Sequence, residues 1–231
     1  LRPTATGSVT VVASAGGWRA DTAKLHAEEP AARAVLTEDW SGDMETAWVP
    51  FGEPRPTLDR HPALGSAFWA RGDGLYYSGV YSRRPFGASA GLGVTATVST
   101  PRTAPAEQEL LAALRTWQDP AAVDAWDHRT GTIPGTGTSC RVHFPGGDGL
   151  ATSSQLKAAG ESVELGRDLG SGEPYRLTLQ LFPDGTCGVA VDGEPIARAR
   201  GTGVDLGAPH RIVLEGKSVD TEILVGRVRV R

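Results

Sequence analysis

Tyr175-Arg176-Leu177-Thr178-Leu179-Gln180-Leu181, then Pro183-Asp184-Gly185, then Thr186 to Val191, then Asp192-Gly193 ahead of Glu194-Pro195-Ile196-Ala197, is the stretch that decides the fold. Apolar residues alternate with polar ones at a period of two, the signature of a strand with one face buried. Asp-Gly between such runs supplies the positive backbone angles that a tight hairpin requires. Residues 175–198 therefore read as one antiparallel ribbon, and an antiparallel ribbon predicts an all-β domain.

The rest of the chain agrees in character. Leu92, Val94, Ala96 and Val98 alternate through Leu92–Ser99, and further strands are expected at Ser8–Ala13, Ala67–Ala70, Ser139–Phe144, Ser162–Leu165, His210–Leu214 and Thr221–Arg231. Tyr76–Ser82 reads as a loop or a strand, and the segment before Pro62 as a proline-rich connector. Glycine (30 residues) and proline (16) fill about a fifth of the chain, enough for many turns without low complexity. One stretch breaks the pattern. Leu110, Leu111, Leu114 and Trp117 recur at helical spacing between Pro105 and Pro120, which predicts a short helical insert near 105–126, with a second short helix through Val123 and Trp126. The expectation is a two-sheet antiparallel jelly-roll sandwich carrying that insert. Residues 1–37 read as a lead-in or linker, with a loose helix or linker over Asp21–Val35, and 38–231 as the domain proper. No internal repeat is visible.

Composition narrows the function classes. A chain of 231 residues with 39% hydrophobic and 22% charged residues can bury a sizeable core. Net charge of −4 argues against a nucleic-acid partner. No run reaches the ~20 apolar residues that span a bilayer, so a membrane enters only through a segment absent from this chain. Leu1-Arg2-Pro3 has neither an initiator methionine nor a following apolar core, and the chain is expected to be a piece of a longer one. Cys140 and Cys187 both lie in strand-like runs, and a disulfide between neighbouring strands is preferred over two buried thiols. That pairing predicts an extracytoplasmic domain: periplasmic, cell-surface or secreted.

Three pieces together resemble the concanavalin A-like lectin/glucanase superfamily, the jelly-roll group that includes laminin G-like domains. They are Glu38-Asp39-Trp40-Ser41-Gly42-Asp43-Met44-Glu45-Thr46-Ala47-Trp48, Gly72-Asp73-Gly74 with Ser78-Gly79-Val80-Tyr81-Ser82, and the ribbon Tyr175–Ala197 with its closing strand. The resemblance covers about 38–231, and more narrowly is to bacterial extracytoplasmic domains of membrane-anchored regulatory proteins. It implies a glycan or another small ligand, a protein partner, or carbohydrate hydrolysis.

Each candidate chemistry in the chain competes with an ordinary structural use of the same residues. Hydrolases of this superfamily set carboxylates at alternate positions of one strand, so that all enter one groove. Asp39, Asp43 and Glu45 come nearest, but Ser41-Gly42 interrupts any strand there, and Asp184, Asp192 and Glu194 occupy turns. His26, His61, His128, His143 and His210 form no pairing motif, and no Gly-x-Ser-x-Gly elbow exists. Asp73 and Asp148, in glycine-flanked loops, are weak calcium candidates, there is no zinc-ligand spacing, and no other cofactor is expected. Gly131–Thr138 is glycine-rich but lacks a phosphate-binding lysine. Arg227, Arg229 and Arg231 alternate with Val228 and Val230, a polar strand face or an anion-binding stripe. Trp69, Tyr76, Tyr77 and Tyr81 gather within thirteen residues, with Arg83 and Arg84 just beyond. Aromatic faces against sugar rings and planar donors for hydroxyls are the chemistry of glycan recognition. The expectation is a non-catalytic ligand-binding or interaction module using Trp69, Tyr76, Tyr77, Tyr81, Arg83 and Arg84. Its alternatives are a structural or sensory domain without a small ligand and a divergent glycoside hydrolase.

Overall fold

The structure, a computed structural model, describes residues 7–13, 21–27, 36–52, 55–69, 78–99, 110–116, 138–144, 154–158, 160–167, 169, 173–201, 204–216 and 224–231. Strands β1 (Gly7–Ala13) and β2 (Asp21–Ala27) make a two-stranded antiparallel sheet, with Gly7 opposite Ala27 and Ala13 opposite Asp21. The first seven residues of Asp21–Val35 are thus a strand, not the loose helix or linker expected there. The chain divides into two compact units, Leu1–Ala34 and Val35–Arg231, and β1 and β2 belong to the first.

The second unit is a sandwich of two antiparallel sheets. Its strands are β3 (Leu36–Glu38), β4 (Trp48–Phe51), β5 (Thr57–His61), β6 (Gly65–Trp69), β7 (Ser78–Ser82), β8 (Leu92–Ser99), β9 (Leu110–Thr116), β10 (Thr138–Phe144), β11 (Gln155–Ala158), β12 (Glu161–Glu164), β13 (Tyr175–Leu181), β14 (Thr186–Val191), β15 (Glu194–Arg200), β16 (His210–Gly216) and β17 (Leu224–Val230). One sheet has seven strands in the order β12-β11-β10-β9-β16-β7-β4. The other has eight, β15-β14-β13-β8-β17-β6-β5, with β3 also paired to β17.

The ribbon forms as read. Tyr175, Leu177, Leu179 and Leu181 are buried while Arg176 and Gln180 are exposed. Asp192 and Gly193 both take left-handed angles (φ 53° and 88°), the backbone of a two-residue hairpin turn. The inward residues of both sheets meet in one core, with Val80, Val142, Leu156, Ile212 and Leu214 from the seven-stranded sheet and Phe68, Val94, Leu177, Leu179 and Val228 from the eight-stranded one. Cys140 on β10 and Cys187 on β14 are bonded across the two sheets, with Cα atoms 5.7 Å apart and both residues fully buried.

Two elements differ from expectation. The helical insert near 105–126 is absent at its centre, where Leu110–Thr116 is strand β9, paired with β10 on one side and β16 on the other. A short unbroken apolar run such as Leu-Leu-Ala-Ala-Leu suits a central strand flanked on both sides as well as a helix, and pairing on both edges decides the matter. Trp117, Val123 and Trp126 lie outside the described residues. Thr57–His61 is an edge strand rather than connector, since proline is excluded from a strand interior but not from the position before it.

The segment that opens the domain is a corner. Trp40 is 2% exposed, takes a left-handed angle (φ 58°), stacks on Phe68 at 5.2 Å and lies 5.6 Å from Trp48. Its indole N–H donates to the Gly226 carbonyl at 2.6 Å. Glu38 holds the turn, its carboxylate accepting from the Asp39 and Trp40 amides and from the Trp48 indole.

Candidate functional site

Alternation along each strand sends one set of side chains into the core and the next outward. On the seven-stranded sheet the outward set includes Phe51 of β4, Tyr81 of β7, and Arg211, Val213 and Glu215 of β16, because their strand neighbours Val80, Ile212 and Leu214 face the core. These outward residues are not open to water. Tyr81 is 5% exposed, Arg211 8%, and Val213 and Glu215 are fully buried. Phe51 stacks on Tyr81 with ring centres 6.3 Å apart, and the Arg211 guanidinium lies 5.7 Å from the Tyr81 ring centre. Arg211 donates to the carbonyls of Ser82 and Arg83, and burial lowers its pKa from the ordinary arginine value.

The register extends this face across the sheet. One row runs Phe51, Gly79, Glu215, Leu111, His143, Gln155, Glu164, and the next runs Val49, Tyr81, Val213, Ala113, Arg141, Lys157. Phe51, Gly79, Tyr81, Val213 and Glu215 are buried, whereas Gln155, Arg141 and Lys157 are half-buried and Glu164 is exposed. Gly79 is obligatory in the first row. A Cβ there would sit 2.1 Å from the Leu214 carbonyl and under 3 Å from Glu215.

The residues singled out from sequence separate. Tyr81 is in the buried cluster just described. Arg83 is exposed beside it, and its guanidinium donates to the Glu45 carbonyl at 2.8 and 3.0 Å. Arg84 lies over the Phe86 ring at 5.1 Å. Trp69 follows the core residue Phe68 on β6 and so points outward from the other sheet, away from Tyr81. Tyr76 and Tyr77 lie outside the described residues. Proximity in sequence misled here because consecutive strands β6 and β7 belong to different sheets. Sequence reasoning missed Glu215, whose signal was an acid closing the apolar run Ile212-Val213-Leu214.

The acids considered for catalysis have structural partners. Asp39 accepts from Ser41, and those hydrogen bonds hold its carboxyl below the usual range. Asp43 caps the short 3-10 turn Met44–Thr46, and Glu45 pairs with Arg55 at 3.5 Å. Asp184 accepts from Thr186 and pairs with Arg198 at 3.0 Å, Asp192 accepts from the Arg176 amide, and Glu194 pairs with Arg167 at 2.9 Å. Among the described residues no group of three His, Cys, Asp or Glu side chains is placed to hold a metal ion, and Asp73 and Asp148 lie outside those residues. Among them, too, no helix is long and apolar enough to cross a membrane. A depression of about 500 Å³ lies at the β5–β6 turn of the eight-stranded sheet, lined by Arg60, His61, Pro62, Gly65 and Ser66.

No protein-family profile and no curated protein matches this sequence. Solved structures do resemble it. The carbohydrate recognition domain of Emp46p in its potassium-bound form aligns with a TM-score of 0.58 at 11% identity, over 80% of this chain and 88% of that one. A glycoside hydrolase family 16 endo-glucanase from Bacteroides ovatus aligns at 0.58 and 9% identity, over 85% of this chain and 99% of the enzyme. The T. cruzi calreticulin globular domain aligns at 0.56 and 11%, over 86% and 87% of the two chains. The fold is that of the concanavalin A-like jelly rolls, a fold shared by carbohydrate-recognition domains and a glucanase.

Proposed function

We propose that this domain is a non-catalytic carbohydrate-binding module of an exported protein, with its glycan on the outer face of the seven-stranded sheet. The observation that carries the reading is the distribution of carboxylates on that face. Strands β4, β7, β16, β9, β10 and β11 contain a single acid, Glu215, and the next along its row is Glu164 on edge strand β12. Four strand spacings separate them, roughly 19 Å. Glycoside hydrolysis by paired carboxyls takes about 5–9.5 Å. Among the described residues the strands of that face carry one buried acid, Glu215, with no second acid at hydrolytic spacing along its row, which favours binding at the half-open end over bond cleavage.

The parts have distinct uses. Phe51, Tyr81 and Arg211 form a rigid base, and Arg211 fixes the carbonyls at Ser82 and Arg83, which sets the direction in which exposed Arg83 and Arg84 leave the sheet. Gln155, Arg141 and Lys157 offer hydrogen bonds to sugar hydroxyls at the half-open end, and Tyr76 and Tyr77 are proposed as stacking surfaces next to β7. Trp69, on the other sheet, takes no part in this site. The buried cross-sheet disulfide supports an oxidising, extracytoplasmic setting. A calcium ion is no requirement of this reading.

The test is a glycan array probed with the wild type, Arg141→Gln/Gln155→Ala and Tyr77→Ala, alongside an assay for reducing-end release. The reading requires retained neutral glycans, loss of that retention in the first variant, and no release. Release of reducing ends that Glu215→Gln abolishes would replace it with hydrolysis. A second reading has its own support: the aromatic pair Phe51–Tyr81 and the charges of Arg211 and Glu215 are buried, as in a structural or sensory domain without a small ligand. It predicts no retained glycan at all.

A further inference from the structure

The outward face of the eight-stranded sheet has a different composition, and register orders it into a channel. Val225 and Val228 both face the core although three residues apart, since a bulge between them places two residues of β17 opposite one of β8. That extra residue turns Arg227, Arg229 and Arg231 outward together. Opposite them β8 presents Thr97, Thr95 and Gly93, and beyond β8 strand β13 presents Arg176, Thr178 and Gln180. These nine positions contain four arginines and no acid. The Thr95 and Thr178 hydroxyls are hydrogen-bonded at 3.1 Å, which ties floor to wall. Arg176, Arg227 and Arg231 are exposed and Arg229 half-buried. Among the described residues, acids stand at the margins: Asp39, whose carboxyl feels Arg227, Asp192, which accepts from the Arg176 amide, and Asp184, paired with Arg198.

We infer that this channel binds a linear acidic polysaccharide, carboxylated or sulfated, lying along β8. The site is independent of the one proposed above and lies on the opposite side of the sandwich. Three arginines at every second residue stand ~6.8 Å apart along one wall, and the other wall is two strand spacings, ~9.6 Å, away. An anionic chain between them meets guanidinium groups that bind carboxylate or sulfate bidentately, over a floor of hydroxyls and glycine suited to a polar backbone. Other anions fit worse. Single-stranded nucleic acid needs a run of aromatic stacking surfaces, and the nine positions have none, Trp69 and Phe182 lying outside them, the latter under Arg198. A membrane surface takes apolar residues alongside basic ones, and the nine positions have none of these either. An acidic peptide adding as a strand needs a free edge, whereas β8 is paired on both sides. Overall the chain is acidic, so this concentration of arginine is local and not a reflection of composition.

The test uses the whole chain against immobilised dextran sulfate, alginate and neutral dextran, with a single-stranded oligonucleotide and phosphatidylserine vesicles as competitors. Dextran sulfate and alginate are expected to bind with affinity that falls as salt rises, and neutral dextran not to bind. Arg227→Gln/Arg229→Gln/Arg231→Gln, and separately Arg176→Gln, are expected to weaken binding about tenfold, while Arg60→Gln on β5 does not. The inference is overturned by binding that survives both channel variants, or by equal loss in Arg60→Gln. Oligonucleotide or vesicles displacing the polysaccharide as effectively would also overturn it. Arg176→Gln decides alone if the triple variant does not fold.

Discussion

The two outward faces of this sandwich are built by the same alternation and handle charge in opposite ways. On the seven-stranded sheet Arg211 and Glu215 are buried beside Phe51 and Tyr81, while on the eight-stranded sheet Arg176, Arg227 and Arg231 stand in water over a threonine floor. A buried charge is costly unless its hydrogen bonds are made, so Arg211 can be kept only by a surrounding that holds it, here the Ser82 and Arg83 carbonyls and the Tyr81 ring. Exposed arginines impose no such demand and are available to a partner. The difference teaches that fold class fixes where side chains point, and that burial then decides whether an outward charge organises the protein or meets something outside it.

Removing what joins the two sheets should have the largest effect. The Cys140–Cys187 bond closes a loop with a sequence separation of 47 residues. Replacing both cysteines by serine is expected to cost about 4 kcal/mol on chain-entropy grounds, read as a fall in denaturation midpoint. An unchanged midpoint would mean that the sheets are held without it. On the buried face alone, Gly79→Ala forces a methyl against the Leu214 carbonyl and Glu215, and should cost about 3 kcal/mol. Arg229→Gln on the open face should stay within about 0.5 kcal/mol. If the two substitutions cost the same in thermal melts, the contrast between faces fails. At the corner by the open face, Trp40→Phe keeps the stacking on Phe68 but loses the indole bond to Gly226, for about 1 kcal/mol.

The smallest effect is one of pH. His210 is fully buried, and burial pushes its pKa below the ordinary imidazole value despite the hydrogen bond to the Ala208 carbonyl and the nearby Asp205. As pH falls through about 6.5 the unfolded chain takes up a proton first, so stability conferred by neutral His210 is present above that pH and declines below it. His210→Gln should flatten the melting temperature between pH 7.5 and 5.5 relative to wild type. A decline of the same slope in both proteins would assign it to other groups.

Legibility in the sequence followed the strength of local signals. Tyr175–Val191 was readable because alternation, Asp-Gly turns and burial on one face all point the same way. Leu110–Thr116 was not, since its identity as a strand comes from pairing with β10 and β16, partners brought in from 28 and 100 residues onward. Asp21–Ala27 was obscured by its charges and alanines, which suit a helix until β1 pairs with it. The candidate site was less readable than the fold. Aromatic clustering grouped Tyr81 with Trp69, because nothing local says that the chain changes sheets between them. Arg227, Arg229 and Arg231 were visible as an alternating stripe, but not the threonine floor that β8 supplies.

The proposed function requires a glycan on the outer face of the seven-stranded sheet, and hydrogen–deuterium exchange with a retained neutral oligosaccharide measures that directly. Slower exchange over residues 138–144 and 155–158, with none over 92–99 and 175–181, is the predicted result. Protection confined to 92–99 and 175–181, or found nowhere in the chain, would contradict it.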